Sequence, residues 1–262
     1  MSAAADKAFQ DAVAAFRARK FADAERSCRT VLASQPQHVG ALNLLTITLM
    51  SVARFAEAAT YVARALSLDP RFDLSFRNFG IILGKLGKPE QALEEFDRAL
   101  ALNPTARSTW ISRGQVLGDM GQYDRALSDF DQAILLEPDH PDAFQGKGKV
   151  FSELKRYDDA FAAYDQALAL KPDLPGAWLG HANLLVRLKR FDAGLTAYER
   201  ALSLDPDFAE AGLAAPISWG CSSAMTKRSP STTRSWRSKA AWPKPGTVAA
   251  TSCPNSNATT KR

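Results

Sequence analysis

Apolar residues along this chain recur at three- and four-residue intervals, the spacing that places them on one side of a helix. The runs are split by short breaks such as Gly87-Lys88-Pro89 and Gly121-Gln122-Tyr123. The segment Tyr123–Pro138, YDRALSDFDQAILLEP, returns as YDDAFAAYDQALALKP at Tyr157–Pro172 and as FDAGLTAYERALSLDP at Phe191–Pro206. Prolines close the units at Pro36, Pro70, Pro104, Pro138, Pro172 and Pro206, always 34 residues apart. Such a period predicts a repeat array with two helices in each unit. Pro89 is placed to open a second helix, where a missing N–H costs nothing. Asp124, Asp158 and Asp192 fall in first turns and favour the helix dipole. Gly80, Gly114 and Gly148 fall in mid-helix, where glycine costs about 1 kcal/mol against alanine. That cost predicts close packing at those positions.

Counting back from the prolines gives six units: 5–38, 39–72, 73–106, 107–140, 141–174 and 175–208. Unit 4 carries Trp110, Gly114, Leu117, Ala126, Phe130, Ala133 and Pro138. The equivalents in unit 3 are Phe76, Gly80, Leu83, Ala92, Phe96, Ala99 and Pro104. Unit 5 has Phe144, Gly148, Phe151, Ala160, Tyr164, Ala167 and Pro172; unit 6 has Trp178, Ala182, Leu185, Gly194, Tyr198, Ala201 and Pro206. The pattern resembles the tetratricopeptide repeat (TPR) family. In units 1 and 2 it is looser: Thr46 replaces the glycine, and Cys28 and Val62 replace the second aromatic. Irregular end units are expected of solenoids. The resemblance implies an all-α, right-handed superhelical solenoid of antiparallel helix pairs over residues 5–208.

The net charge of +5 belongs to the end of the chain. Residues 209–262 hold 8 Lys/Arg and 1 Glu, leaving residues 1–208 with 25 basic against 27 acidic groups. A nearly neutral body without a basic stripe argues against a nucleic-acid partner. The cysteines, Cys28, Cys221 and Cys253, form no C-x-x-C pair, which argues against a disulfide framework or zinc site. The absence of a long apolar run argues against a membrane span, and a cytoplasmic location is expected. No phosphate loop or metal motif is present. The histidines His38, His140 and His181 form no catalytic constellation. No cofactor and no catalytic activity are expected.

Residues 209–262 lose the helical period and are rich in Ser, Thr and Pro, with Trp219, Trp236 and Trp242 among them. One reading is a disordered basic tail. Another is a shifted coding frame, in which the first two bases of each codon become the last two of a new one. Met is ATG and Thr is ACN, so Met225-Thr226 must then yield Asp. Its neighbours permit Tyr before it and Glu-Ala after it, which restores the pattern of Tyr157–Ala160 one period beyond Phe191. Residues 212–214 permit Trp-Leu-Gly and 216–219 permit Ala-Asn-Leu-Leu, matching Trp178–Gly180 and Ala182–Leu185. Ala240 cannot yield the closing Pro, nor Ser235 the expected Ala. A frame shift near residues 207–212 is the expectation, with further repeats replaced. Phe191, Tyr198 and Leu202 are then expected on an incompletely covered end face, prone to self-association.

In the resembled family the first helices of the units line a concave groove. The resemblance carries this role to Phe9, Val13 and Phe16, then Asn43, Leu44, Ile47 and Met50. Next come Arg77, Asn78, Ile81 and Lys85. Ser112, Gln115 and Asp119 follow, then Gln145, Lys149 and Glu153, and last Leu179, Asn183 and Arg187. This groove is apolar in its first half and polar, partly cationic, in its second. Phe9, Val13 and Phe16 either pack on neighbours or anchor a peptide. The Lys/Asn/Arg clamp of chaperone-binding relatives is not expected, because Asn43 and Ile47 precede Asn78 where the clamp needs Lys and Asn. The resemblance therefore implies a non-catalytic scaffold for a protein or peptide partner. The alternative is the N-terminal array of a bacterial enzyme, such as a glycosyltransferase of the O-GlcNAc-transferase type. That family repeats Asn at the position of Asn78, whereas Leu44, Ser112, Gly146 and Gly180 stand there in the other units.

Overall fold

The computed structural model describes residues 3–205. The readings placed on the tail, with Cys221, Cys253 and the three tryptophans, lie outside the described residues. Among the described residues there are twelve helices and no strand. The first helices of the pairs are α1 (Ala3–Arg17), α3 (Val39–Ser51), α5 (Asp73–Lys85), α7 (Arg107–Asp119), α9 (Pro141–Glu153) and α11 (Pro175–Arg187). The second helices are α2 (Phe21–Ser34), α4 (Phe55–Leu68), α6 (Pro89–Leu102), α8 (Tyr123–Leu136), α10 (Tyr157–Leu170) and α12 (Phe191–Leu204). The described residues divide into two compact units, one ending at Val150 and the other beginning at Phe151.

One turn, used six times, joins each pair. Arg19, Ala53, Gly87, Gly121, Lys155 and Lys189 all have φ between 58° and 75°, and they lie 34 residues apart. In the third turn the Gly87 N–H donates to the Gly84 carbonyl at 3.1 Å, and the Lys88 N–H donates to the Leu83 carbonyl at 2.9 Å. The same two bonds close the other five turns. This is the Schellman arrangement, which satisfies the last carbonyls of the first helix. Its closing residue is also the N-cap of the second helix, as Lys88 is for α6. A left-handed residue with a Cβ costs about 1–2 kcal/mol, so glycine at two of the six turns removes that strain.

The other helix ends follow from the sequence. Pro89 is at the start of α6. Asp124, Asp158 and Asp192 stand in the first turns of α8, α10 and α12. The second helices all stop two residues before a closing proline. His38 caps α3, its Nδ1 accepting from the Ala41 N–H at 3.0 Å.

The core is built on a shared volume. Gly80, buried on α5, faces the ring of Phe96 on α6, and a Cβ there would lie 2.7 Å from the ring. At Gly114 a Cβ would lie 3.0 Å from Phe130. The same rings reach forward into the next repeat. A Cβ at Gly146 would overlap Phe130, and one at Gly180 would overlap Tyr164. Thus an aromatic ring is what chiefly requires these glycines, joined at Gly114 by the Ala126 carbonyl of the second helix, 3.3 Å from where the Cβ would lie. Units 1 and 2 obey the same rule with the sizes exchanged. Ala12 and Thr46 replace the glycine, Cys28 and Val62 replace the ring, and all four are 0% exposed. These units are not degenerate copies; they divide one volume differently.

In the second unit Tyr198 packs with Leu179, Ala182, Leu185, Ala197 and Ala201 and is only 1% exposed. The expectation that Tyr198 lies on an open end face is therefore corrected. Its ring is enclosed in the α11–α12 core and its hydroxyl donates to Asn183 Oδ1. Phe191 and Leu202 are half-buried.

Replacing Gly80 with Ala should destabilise the fold by about 1–3 kcal/mol, the usual range for overpacking. Adding Phe96→Leu should recover part of that loss. Urea unfolding of the two single variants and the double variant checks it through the coupling energy.

Candidate functional site

Within residues 1–150 the first helices pack side by side, α1 on α3, α3 on α5 and α5 on α7. The second helices pack against the first helix of the next pair, as α2 does on α3 and α4 on α5. The first helices thus form one layer, which carries most of the residues expected to meet a partner.

Its apolar start belongs to the core. Phe9, Val13, Phe16, Ile47 and Met50 are half-buried against Leu44, Leu45 and Leu49. Packing on neighbours accounts for Phe9, Val13 and Phe16. Asn43 Oδ1 accepts from the Ser75 hydroxyl at 2.8 Å, which ties α3 to α5.

The middle of the layer is less satisfied. Asn78 is only 6% exposed and accepts from Arg77 Nη2 at 3.2 Å. Arg77 Nε is buried without a hydrogen-bond partner. Burial pushes the Arg77 guanidinium below its ordinary value, and Asp73 offsets this in part. Ile81 is half-buried, while Lys85 and Gln115 are exposed. Lys85 has no ion-pair partner among the described residues.

Beside these residues lies a cleft of about 250 Å³. Ile81, Val116, Met120 and Phe96 give it an apolar floor; Lys85, Ser112, Gln115 and Asp119 give it a polar edge. Its origin is Gly84. Phe16, Met50 and Val186 stand at the equivalent position of three other units, and Gly118 and Ser152 at that of the other two; a Cβ at Gly84 would meet only Val116, at 3.3 Å.

The later cations are neutralised in place. Lys149 Nζ donates to Asp119 at 2.7 Å, with both side chains more than 60% exposed. In the second unit Arg187 donates to Glu153 at 3.1 Å and to the Ser152 carbonyl at 3.4 Å. Asn183 accepts from Tyr198. Gln145 is half-buried and Leu179 is buried. Lys149 and Arg187 therefore present charge pairs rather than bare positive charge.

Sequence reasoning missed a second set of charges between helices. Arg113 grips Asp129 with two bonds, at 2.8 and 2.7 Å, and also reaches Asp97 in the preceding repeat. Its guanidinium stacks 4.7 Å from the centre of the Trp110 ring. One period on, Lys147 donates to Asp131 at 2.6 Å; one further, His181 lies 3.5 Å from Asp165. All three contacts to the preceding repeat span 16 residues, so a base and an acid recurring at that separation were the readable signal. Unit 3 breaks the series, because Phe79 stands where Arg113 does. Glu95, at the place of Asp129, is buried with Oε2 unpartnered, and burial raises its carboxyl pKa. Among the described residues no cluster of His, Cys, Asp and Glu could hold a metal ion. No described helix is long and apolar enough to cross a membrane.

Comparison with known proteins follows the same repeats. Models of the tetratricopeptide repeat match residues 9–71, 77–117 and 111–175, and another matches 151–215. No curated protein sequence matches the chain. Among solved structures, a thermophilic TPR protein of Thermus thermophilus is 24% identical, with 69% of this chain and 98% of that chain covered and a TM-score of 0.64. PilW, a widely conserved type IV pilus biogenesis factor, is 20% identical, with 82% of this chain and 99% of that chain covered and a TM-score of 0.69. YrrB, a TPR protein with an unusual peptide-binding site, is 24% identical, with 65% and 88% covered and a TM-score of 0.51. These are likenesses of fold.

Two carboxylates should separate structure from surface. Asp129→Ala leaves Arg113 half-buried without its main partner and should cost about 3–5 kcal/mol. Asp119→Asn breaks an exposed pair and should cost under about 1 kcal/mol. Chemical denaturation of both variants checks the contrast. Protonation offers another test. His140 and His181 sit below the ordinary histidine value, chiefly because burial disfavours the imidazolium. The unfolded chain therefore takes up these protons first. Their contribution is complete above about pH 6.5 and is lost as pH falls through the lowered folded values. The Tm should be lower at pH 5.5 than at pH 7.5, and less so in a His140→Asn, His181→Asn variant.

Proposed function

Because the chain belongs to the tetratricopeptide repeat family, we propose that it is a non-catalytic scaffold that holds a protein or peptide against its first-helix layer. The observation that carries this is the state of that layer on α5 and α7. Its apolar cleft is open, and among the described residues neither Arg77 nor Lys85 forms an ion pair, Arg77 having only Asp73 one turn earlier to offset its charge, while Lys149 is paired with Asp119. A surface that had only to stay soluble would have no use for a desolvated guanidinium beside an apolar cleft. The similar YrrB, a TPR protein with a peptide-binding site, supports the reading by analogy. The partner-binding set is Asn43, Ile47, Met50, Arg77, Asn78, Ile81, Lys85, Gln115, Lys149, Asn183 and Arg187. Lys149 and Arg187 enter it as members of charge pairs. The repeat array is taken to end at residue 208, with a frame-shifted continuation in 209–262; resequencing the gene decides that point.

Photo-crosslinking tests the scaffold reading. A benzophenone amino acid at Gln115, on the layer, should give a discrete adduct with a cellular partner. The same group at Leu135, 76% exposed on α8, should not. Equal labelling at both positions, or none at Gln115, would count against the reading.

A further inference from the structure

We infer that the layer on α5 and α7 selects an extended peptide with one apolar side chain flanked by two carboxylates, in the order acidic–x–apolar–x–acidic. This rests on the peptide-binding reading and specifies its ligand. Arg77, Ile81 and Lys85 are four residues apart on α5 and share one face of the helix. Arg77 and Lys85 are separated by eight residues, a rise of about 12 Å. In an extended segment, residues i, i+2 and i+4 point to one side and span about 13 Å. Two carboxylates at that spacing reach the two cations together, with the central side chain over Ile81.

At that centre the cleft is open. Gly84 leaves room where units 1, 2 and 6 place Phe16, Met50 and Val186 and units 4 and 5 place the small Gly118 and Ser152. The floor of Ile81, Val116, Met120 and Phe96 suits an unbranched or γ-branched apolar side chain. The ends call for negative charge. Arg77 is half-buried with Nε unpartnered, and its one side-chain acceptor is the neutral Asn78. Asp73, one turn earlier, offsets only part of its charge, so a ligand carboxylate at the terminal nitrogens would add the charge-assisted bond that Asn78 does not give. Lys85 stands exposed without an ion pair, whereas Asp119, the acid on the cleft edge, is already held by Lys149. The surface offered to a ligand is thus apolar at the centre and positive at both ends.

Fluorescence anisotropy with the full-length chain tests this. The probes are fluorescein-labelled peptides carrying Glu-Ser-Leu-Ser-Glu, Gln-Ser-Leu-Ser-Gln or Glu-Ser-Ser-Ser-Glu in one neutral flank. The first should bind at least about tenfold tighter than either control, and its affinity should fall as salt is raised. Lys85→Glu should weaken it by a similar factor. Gly84→Leu, which fills the cleft from the half-buried last turn of α5, should weaken binding of the first peptide and leave the helical circular dichroism unchanged. Equal binding of all three peptides, or binding indifferent to both substitutions, would overturn the inference. If a partner still crosslinks at Gln115, the scaffold reading survives that failure. If no peptide binds and no partner crosslinks, both fall.

Discussion

Each of the first four helix pairs divides one volume between a position on its first helix and a side chain on its second. One is on the first helix, at Gly80 or Gly114; the other is on the second, at Phe96 or Phe130. A ring that also presses into the next repeat, as Phe130 does at Gly146, sets the distance to the neighbour as well as within the pair. Interiors are close-packed, so such a contact leaves little freedom. Spacing, crossing and the side-by-side layering of first helices follow from it. The surface on α5 and α7 is a by-product, because residues that do not fill the shared volume face the other way.

The charged contacts add register rather than bulk stability. Arg113 and Lys147 each reach an acid sixteen residues earlier as ion pairs, and His181, whose pKa burial lowers, reaches Asp165 at the same separation as a polar contact. Most of these pairs are exposed at one end, where each adds little. The Arg113–Asp129 pair differs, since both partners are largely removed from water. A buried pair of that kind disfavours any slip of the two helices, because the slip would strand a charge.

The helices were legible because the proline period and apolar spacing are local signals. Pro89, Asp124 and the six closing prolines mark helix ends whatever the tertiary context. The size exchange in units 1 and 2 was not legible. Thr46 with Val62 reads as erosion of a motif until both are seen fully buried. Tyr198 was misread for a related reason: its partner, Asn183, lies fifteen residues away on another helix. At the candidate site the positions of Arg77, Ile81 and Lys85 could be named in advance from the family resemblance. Which cations remain unpaired could not, because Asp119 and Lys149 lie thirty residues apart and meet only in the fold. The cleft at Gly84 was equally hidden, being defined by a side chain that is missing.

The six turns carry a further implication. In each, the residue that finishes the Schellman motif is already the cap of the next helix. There is no slack between the two helices. One inserted residue would rotate the second helix by about 100°, carrying Phe96 away from Gly80 and Arg98 toward the core. A change of length inside a pair is thus a change of face, while adding or removing a whole period keeps the contacts within a copy, and those to the next one, in register. Such a chain can grow or shrink by gene duplication and recombination, but only in steps of its own repeat.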